Sequence, residues 1–563
     1  MKIFKNNIVK LVLIAVFVFG LIFGIVSITS NWGKTQATIS TEQALKRLNS
    51  LYSRLNVYEL TPKMDPEFIA DEKTASVLPD ISEYPFVVNP TTDNFITIYS
   101  SPEKAGADYE SWLVDVANKF NQSGVQVNGM PVSVGVRSIS SGLAADFIST
   151  GKYTPDVLAP SSELWADILA DKGIIVNLIE KRIAGNVAGV VLSKEKNEEL
   201  IKKYGAVNGK TIVDGVINNE IKLAYSDPYE SSTGLNFLLM VLQNFDSTNP
   251  TSQAAVSQFQ KFQQNIAFTA YSTAQMKTSA KRGALDGFLS EYQSFVNSPD
   301  LKSSYVFIPF GVRHDQPIYE IGELTTIKKQ ITSKFVEYCK NSESQKLATQ
   351  KGFNGLNEYA YTLPNPDGAT ILQAQGVWKD QRIGGGGLTA VFVADVSGSM
   401  EGSPLLKLKA SLNQAINVIG SDTNVGFVSF SDDVSIALPI AKFDSTQKSY
   451  FSNAVGNLRS GGATAMFDAI VVAEKMLMEE KAKNPNTKLM LFVLTDGDSN
   501  RGFGFKDIKD LTRGIKIPIY TIGYNAKIDI LQELSNINEA ATMNADNDNV
   551  IYRLESLFSS QLK

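Results

Sequence analysis

The chain has 563 residues, which is enough for several compact units at about 100–200 residues per domain. Apolar residues make up 43% and charged residues 20%, so there is ample material for ordinary globular cores. The formal net charge of −5 and the lack of basic clusters interleaved with aromatics argue against a nucleic-acid partner.

One cysteine and one histidine are present in the whole sequence. A single thiol, Cys339, excludes an internal disulfide framework and any Cys-rich zinc site. A single imidazole, His314, excludes a His-rich metal centre. Helical spacing from Phe335 predicts that Cys339 is buried in a core, whereas the polar neighbours of His314 predict a solvated turn.

The first predicted element is an apolar stretch without charge at 11–28, preceded by three lysines. A secretory signal core spans about 7–15 apolar residues, whereas about 17–25 are needed to cross a bilayer. We therefore expect an uncleaved transmembrane anchor at 1–30, with a cleaved signal peptide as the alternative. The upstream lysines predict that everything after Ser30 is extracytoplasmic.

Residues 31–93 are predicted to form a helical stalk and a linker. Ser40 and Gln43 have the spacing of a capping box, and leucines recur at helical intervals to about Asn56. The stretch 61–90 is rich in Pro, Asp and Glu. This composition is typical of a spacer that lifts the rest of the chain off the membrane.

Strands and helices alternate from residue 94 to residue 353, which predicts an α/β domain with parallel strands. Serine-rich turns after strands place Ser101, Ser141 and Ser232 at the starts of helices. Free N–H groups and the positive dipole end at such starts can hold an anion or a polar ligand. For any one turn taken alone, ordinary N-capping by serine is the alternative.

The order of these segments resembles the type II extracellular solute-binding proteins, especially the oxyanion-binding group. The resemblance rests on the Gly-Lys-Tyr-Thr-Pro-Asp-Val-Leu run at 151–158 and the Asp227-Pro228 turn before a serine-rich helix start. It implies two lobes that close on a ligand, with the three serines in the cleft. Such receptors normally end after the second lobe, so a scaffold that has lost its ligand is the alternative.

A linker is predicted at 354–387, because two prolines and the glycine run 384–387 cannot stay in a regular element cheaply. A second α/β domain follows at 388–563. Its first predicted strand, 388–394, is fully apolar, and further buried strands are predicted at 425–430, 489–494 and 517–522.

Oxygen-bearing side chains follow the strands of this last domain. Asp395, Ser397 and Ser399 come directly after the first strand, Asp496 follows another, and Thr464 lies in a glycine-rich loop before a helix. In an open α/β sheet, ligands gather at the carboxyl ends of the strands. Carboxylate and hydroxyl oxygens suit a hard cation, with Mg²⁺ favoured and Mn²⁺ or Ca²⁺ as alternatives. Without a cation, Thr464 would simply cap its helix and Asp496 would close a turn.

The ordered set is similar to the metal-ion-dependent adhesion site of the von Willebrand factor type A family, and the resemblance runs from 388 to the carboxyl terminus. It implies a Rossmann-like fold in which Ser397, Ser399 and Thr464 contact the metal. The two aspartates, Asp395 and Asp496, would bind it directly or through water. Two further acidic residues near these turns, Asp432 and Asp498, are expected to be solvated surface.

These features predict a membrane-anchored extracytoplasmic binding protein. A divalent cation in the last domain would leave an open coordination position for the carboxylate of a protein partner. The alternative is a solute-sensing or transport-associated receptor for an oxyanion or small metabolite, with the motion passed on through the linker.

Catalysis is not expected. Ser-x-x-Lys spacings occur at Ser101/Lys104 and Ser193/Lys196, but their surroundings are charged and turn-like, and such short patterns arise by chance. The run at 209–211 ends like a P-loop, yet its preceding glycine is one residue too close. No nucleophile elbow is present in the sequence.

Overall fold

The computed structural model of the protein describes residues 39–66, 68, 78–270, 273–281, 283–382, 387–421, 423–497, 499–524, 528–538, 540 and 542–544. The predicted anchor at 1–30 lies outside these residues. Within the described ranges, no helix is both long and apolar enough to cross a membrane.

The N-terminal segment, residues 39–66, contains helix α1 (Thr41–Tyr52) and strand β1 (Val57–Glu59). The predicted capping box is confirmed: Gln43 N donates to Ser40 Oγ at 3.2 Å, and Ser40 N donates to Gln43 Oε1 at 3.0 Å. These bonds satisfy two of the free N–H groups that every helix start leaves.

The first lobe of the middle domain follows, with strands and helices in alternation. Its elements are β2 (Phe86–Val88), β3 (Asn94–Ser100), α2 (Pro102–Ala105), α3 (Trp112–Gln122), β4 (Gln126–Val127), β5 (Met130–Ser138), α4 (Ser141–Thr150), β6 (Val157–Ala159), α5 (Leu164–Asp171) and β7 (Val176–Glu180). The second lobe contains β8 (Val187–Ser193), α6 (Lys194–Tyr204), α7 (Gly209–Ile217), β9 (Leu223–Ser226), α8 (Ser232–Phe245), α9 (Gln253–Gln264), β10 (Phe268–Ala270), α10 (Thr273–Lys281), β11 (Gly287–Glu291), α11 (Tyr292–Val296), α12 (Pro299–Ser304) and β12 (Tyr305–Arg313).

The chain then returns to the first lobe. The returning elements are β13 (Ile318–Ile321), α13 (Thr326–Lys340) and α14 (Ser342–Gln350). The next helix, α15 (Gly368–Arg382), lies within the stretch 354–387 predicted as a linker, and it packs on α5 of the first lobe and on α8 and α9 of the second. The sheet of the first lobe has the order β2-β5-β3-β6-β13-β7, and that of the second has the order β10-β9-β11-β8-β12. The predicted parallel pairing holds for β3 with β5 and β6, and the predicted α/β character of the domain is confirmed. The chain crosses between the lobes at 181–186 and again at 314–317.

The C-terminal domain is a second α/β unit. Its elements are β14 (Leu388–Asp395), α16 (Ser403–Val418), β15 (Thr423–Phe430), β16 (Val434–Lys442), α17 (Ser445–Gly456), α18 (Met466–Lys483), β17 (Lys488–Thr495), α19 (Phe505–Ile515), β18 (Ile519–Gly523), α20 (Ile528–Ser535) and β19 (Thr542–Asn544). The sheet order is β1-β16-β15-β14-β17-β18-β19. β14 is parallel to both β15 and β17 and is buried along its whole length, which explains its unbroken apolar sequence.

The N-terminal segment packs on this last domain. β1 pairs in parallel with β16 at the edge of the sheet, and α1 lies against α18 and α19. The apolar face of α1 buries Ala44, Leu48 and Leu51 in the same core as residues of β14 and α18. The helix is therefore where the sequence predicts it, but it belongs to the packing of the C-terminal domain and does not stand apart from it.

Candidate functional site

The candidate site lies at the carboxyl ends of β14 and β17. Ala394 is the partner of Leu494 in the parallel ladder, so the turns that carry Asp395 and Asp496 are neighbours at one edge of the sheet. The glycine-rich loop before α18 joins them through two main-chain bonds. Gly461 N donates to Val396 O at 2.8 Å, and Gly398 N donates to Gly462 O at 3.0 Å.

Asp395 is fully buried, and both of its carboxylate oxygens are held in place. Ser397 N donates to Oδ1 at 2.8 Å, and Thr495 Oγ1 donates to Oδ2 at 2.5 Å. Burial raises the pKa of Asp395 to about 6; hydrogen bonds from Ser397 and Thr495 oppose this rise, and the neighbouring Asp496 carboxylate adds to it. A cation between the two carboxylates would offset both the burial and the repulsion.

Two hydroxyl groups face one another beside Asp395. Ser397 Oγ and Ser399 Oγ lie 3.1 Å apart, with Ser397 buried and Ser399 exposed. Between them the chain makes one short 3-10 turn, Gly398–Met400, which brings the two side chains to the same side. The two hydroxyls therefore lie within hydrogen-bond distance of one another.

Asp496 has a buried carboxylate oxygen, Oδ1, without a hydrogen-bond partner among the described residues. The turn that contains it is closed by another group, because Gly497 N donates to Thr495 Oγ1 at 3.0 Å. Leaving a buried carboxylate oxygen unpaired costs free energy, and such a group requires an explanation. Among the described residues, Oδ1 of Asp496 therefore does not help to close this turn.

Thr464 is also buried, and it does not cap α18. The N-cap residue of that helix is Ala465, which makes no side-chain cap bond. Instead, the loop after β17 holds the main chain of Thr464. Thr464 N donates to Asn500 Oδ1 at 2.9 Å, and its carbonyl oxygen accepts from Asn500 N at 3.1 Å and from Ser499 Oγ at 3.0 Å.

This donor set fits a hard divalent cation. Two carboxylates, two facing hydroxyls and a buried threonine lie on three bonded turns, and one carboxylate oxygen lacks a partner. Within the described ranges no three His, Cys, Asp or Glu side chains cluster in a way that would hold a metal. A cation here would thus depend on the hydroxyl groups, as it does in oxygen-ligand sites for Mg²⁺.

The acidic residues near the site differ in their surroundings. Asp432, expected to be solvated, is partly exposed and pairs with Arg501 Nη1 at 3.2 Å. Asp498 lies outside the described residues.

Thr495 and Asn500, which orient Asp395 and Thr464, are not predicted from the sequence. Their only signal is that they flank the acidic turn after β17, and any polar residue there would look the same.

The middle domain places the other predicted residues, Ser101, Ser141 and Ser232, between its lobes, where all three are buried. Their hydroxyl oxygens are engaged internally. Ser101 Oγ accepts from Lys104 Nζ at 2.8 Å, Ser232 Oγ accepts from Trp165 Nε1 at 2.9 Å, and Ser141 Oγ accepts from Ser161 N at 3.5 Å. The lobes also bond directly, since Ser140 Oγ donates to Glu230 Oε2 at 3.0 Å.

Lys104 is fully buried at the base of this interlobe region. Its ammonium group donates to Ala159 O at 2.7 Å and to Gln316 Oε1 at 2.9 Å as well as to Ser101, and Pro160 O lies at 3.3 Å. Burial lowers the pKa of Lys104 to about 7, and Glu103 and Glu291 oppose this effect. The Ser-x-x-Lys spacing therefore marks a real contact: protonated Lys104 donates to Ser101 Oγ, which also accepts from Ser161 Oγ at 2.9 Å.

His314 is wrongly predicted as a solvated residue: it is fully buried where the chain crosses between the lobes. Its Nδ1 lies 2.7 Å from Glu291 Oε1, and its Nε2 lies 3.0 Å from Asn236 Nδ2. Since Asn236 Nδ2 can only donate, Nε2 accepts and Nδ1–H donates to the carboxylate. Burial opposes ionisation of Glu291, but the contacts with His314 and Thr233 outweigh it and lower the pKa of Glu291. The other isolated residue, Cys339, is buried as predicted.

Comparison with known proteins agrees with this division of the chain. Residues 390–561 match the von Willebrand factor type A domain, and residues 104–354 match a bacterial extracellular solute-binding protein. The inter-alpha-trypsin inhibitor heavy chain H3 of Bos taurus is 30% identical over 151 residues, covering 25% of this chain and 17% of that protein. An uncharacterized protein of Synechocystis is 25% identical over 140 residues, covering 24% of this chain and 32% of its own length.

Solved structures give matches in both parts of the chain. The sulfate-binding protein SubI from Mycobacterium tuberculosis has a TM-score of 0.34 at 16% identity, covering 51% of this chain and 99% of that one. A periplasmic thiamin binding protein has a TM-score of 0.36 at 13% identity, covering 51% and 96%. A von Willebrand factor type A protein from Catenulispora acidiphila has a TM-score of 0.29 at 17% identity, covering 31% and 43%. From the two family matches, the chain carries a solute-binding-like domain followed by a von Willebrand factor type A domain.

Proposed function

We propose that the chain is a membrane-anchored extracytoplasmic binding protein whose C-terminal domain engages a protein partner through a divalent cation. The cation, Mg²⁺ in the first instance and Mn²⁺ or Ca²⁺ as alternatives, would be held by one set of residues: Asp395, Ser397, Ser399, Thr464 and Asp496. The observation that carries this proposal is the buried, unpartnered Oδ1 of Asp496 beside a second buried carboxylate.

The exposure of Ser399 supports a role in binding outside molecules. Of the facing pair of hydroxyls, one is buried and the other is exposed, so the site opens to solvent on one side. The cation itself would supply a Lewis-acidic position, and the protein residues would fix its place and leave one side free. A carboxylate from a partner protein is the chemistry that fits this open side.

Calorimetric titration of the protein with Mn²⁺ tests the cation site. We expect Asp496→Asn and Ser399→Ala each to weaken Mn²⁺ binding by about tenfold or more, because each removes a proposed ligand. The matched controls are Asp510→Asn and Ser421→Ala, which change exposed groups; Ser421 precedes β15 and so lies at the opposite edge of the sheet from the three turns. Unchanged binding in both test variants, or no binding by the unaltered protein, would refute the proposed site.

The open coordination position has its own test. Water bound to protein-held Mn²⁺ enhances proton relaxation, and we expect added glutarate to reduce this enhancement as a carboxylate displaces the water. Acetamide, which lacks the charge, is the control. If glutarate has no effect while Mn²⁺ stays bound, the proposed carboxylate partner is wrong even though the cation site is right.

Solute sensing is the second candidate, because two buried polar atoms near the lobe boundary have no hydrogen-bond partner among the described residues. These are Ser162 Oγ and Gln293 Oε1. Gln293 belongs to the second lobe and reaches the first, where its Nε2 donates to Tyr109 O at 2.9 Å. Glu103, which accepts from Ser161 Oγ at 3.1 Å, makes the region less suited to an oxyanion than the sequence predicts. A thermal-shift panel of oxyanions, amines and neutral metabolites tests whether the middle domain binds a solute. If no compound raises the unfolding temperature, the middle domain is a scaffold.

We propose binding without catalysis, and an anchor that keeps both domains outside the cytoplasmic membrane. The full burial of His314, whose Nε2 is occupied by Asn236 Nδ2, supports the first part. Turnover of generic ester, peptide or nucleotide substrates would contradict it. Membrane fractionation, followed by protease treatment of intact cells, tests the anchor and the side on which the domains lie.

A further inference from the structure

The N-terminal segment is attached to the C-terminal domain along the whole of α1. At the start of the helix, Thr41 Oγ1 donates to Gly514 O at 3.1 Å. Further along, Arg47 Nη2 donates to the main-chain oxygen of Asp507 at 2.8 Å, near the start of α19. The packing between the two helices is close, because a Cβ on Gly514 would lie 2.7 Å from that of Ala44. The segment therefore follows α19 toward the edge of the sheet where the candidate site lies.

Immediately after α1, the segment contacts the loop 499–504. The guanidinium group of Arg54 lies over the ring of Phe503, 5.2 Å from its centroid. Arg54 is otherwise exposed, and Phe503 is partly buried. A cation over an aromatic face is attracted by the ring and also shields that face from water. This contact is where the N-terminal segment meets the loop.

The same loop holds the candidate cation site. At one end of it, Asn500 bonds both the N–H and the carbonyl of Thr464, and Arg501 N donates to the same carbonyl at 3.3 Å. At its other end, Phe503 N donates to Asp468 Oδ1 at 2.7 Å, in the first turn of α18. The loop therefore fixes both Thr464 and the start of the helix that follows it.

We propose that the N-terminal segment positions Thr464 through this loop, with Arg54 as the positioning residue, so that the cation affinity of the site depends on whether the segment is docked. The proposal rests on the proposed function for the cation itself. Arg54 acts on the site through Phe503 and the loop main chain, and it does not touch the ligands. Displacing the segment would free the loop and loosen the hold on Thr464.

The test uses three variants of the full chain, each with a single substitution. Arg54→Met keeps an unbranched side chain but removes the charge, and Arg54→Lys restores a cation over the ring. Arg47→Met is the matched control, because Arg47 holds α1 to α19 and does not contact the loop. Two quantities are measured: hydrogen exchange of the amides of Asn500, Arg501 and Phe503, and Mn²⁺ affinity by calorimetry.

We expect Arg54→Met to speed exchange at the three loop amides and to weaken Mn²⁺ binding by about two- to five-fold, the size of one exposed cation–π contact. Arg54→Lys should recover most of both effects, and Arg47→Met should leave loop exchange unchanged. Equal effects of Arg54→Met and Arg47→Met, or no effect of Arg54→Met, would overturn the proposal. If the unaltered protein binds no Mn²⁺, the proposed function fails, whereas the exchange measurement still decides the coupling.

Discussion

Glu474 is the residue whose titration bears most directly on stability. It lies in α18, fully buried, and neither carboxylate oxygen makes a well-formed hydrogen bond among the described residues. Burial raises the pKa of Glu474 from its ordinary 4.5 to about 8, and the nearby Thr512 hydroxyl opposes this rise. The folded protein therefore keeps this group protonated at neutral pH, whereas the unfolded chain ionises it.

The sign of the resulting pH dependence follows from proton counting. Between pH 4.5 and about 8 the folded state binds the proton and the unfolded state does not, so the free energy of unfolding falls as pH rises. In the unaltered protein we expect the free energy of unfolding to fall by up to about 1.4 kcal/mol per pH unit in that window. In Glu474→Gln this fall should be absent. Urea unfolding of the two proteins from pH 5 to pH 8 measures it. Glu479→Gln, on the same helix and exposed, is the control, and parallel slopes for Glu474→Gln and the unaltered protein contradict the prediction.

Gly502 is constrained by its backbone and by its neighbour. Its φ is +75°, and a Cβ there would lie 2.1 Å from the carboxylate of Asp468. Gly151, at the end of α4, has a similar φ of +70° in the left-handed region and open space around its Cβ position. We expect each Gly→Ala change to lower the free energy of unfolding by about 1–2 kcal/mol because of the left-handed backbone. At Gly502 we expect a further decrease in the free energy of unfolding because of the Asp468 contact. Urea unfolding compares them, and equal losses would show that the Asp468 contact is relieved without strain.

At the scale of elements, α1 depends on its first turn. The Ser40 hydroxyl and the Gln43 side chain satisfy N–H groups at the helix start. We expect Ser40→Ala to cost about 1 kcal/mol, because replacing an N-cap serine leaves such a group unpaired. Hydrogen exchange of the Gln43 amide reports the local effect, and Ser50→Ala, an exposed change within the same helix, is the control. An unchanged exchange rate at Gln43 in Ser40→Ala would contradict the capping role.

The same elements show how far sequence reasoning reaches. β14, β15 and β17 are predictable because strands that are largely buried have mostly apolar sequences. β16 is not predicted, since its second half is largely exposed and includes Pro439, which is uncommon within a strand. The apolar face of α1 is predictable from its leucines, but periodicity does not say which domain covers it.

The residues of the candidate sites also differ in whether the sequence predicts them. Asp395 and Asp496 are predictable because strand-end turns of a parallel sheet meet at one edge. Thr495 and Asn500 are not, because their roles depend on contacts made only after the chain folds. His314 is misjudged for the same reason: its polar neighbours suggest solvent, whereas its partners come from distant parts of the second lobe.

For the whole molecule, the distribution of buried side chains defines two units. The cores of the middle domain are built from residues between 78 and 378, and those of the C-terminal domain from residues beyond 387. Ala44, Leu48 and Leu51 of the N-terminal segment belong to the C-terminal core. Within the described residues, the solute-binding-like domain is thus inserted between two pieces of the unit that carries the candidate cation site.

Because the middle and C-terminal domains have separate cores, we expect them to unfold separately. Because the middle domain is inserted between two pieces of the C-terminal unit, we expect Leu48 to stabilise the C-terminal unit. We expect two calorimetric transitions. Leu113→Ala in the first lobe should lower the temperature of one, and Leu412→Ala in α16 should lower the temperature of the other. Each change removes a fully buried side chain, at a cost of about 2–5 kcal/mol. Leu48→Ala should lower the same transition as Leu412→Ala and leave the other unchanged. This result would follow from packing, because Leu48 contributes to the core of β14 and α18 although the middle domain comes next along the chain. A shift of the transition marked by Leu113→Ala would instead place the N-terminal segment with the solute-binding-like domain, and the coupling of that segment to Thr464 would then lose its basis.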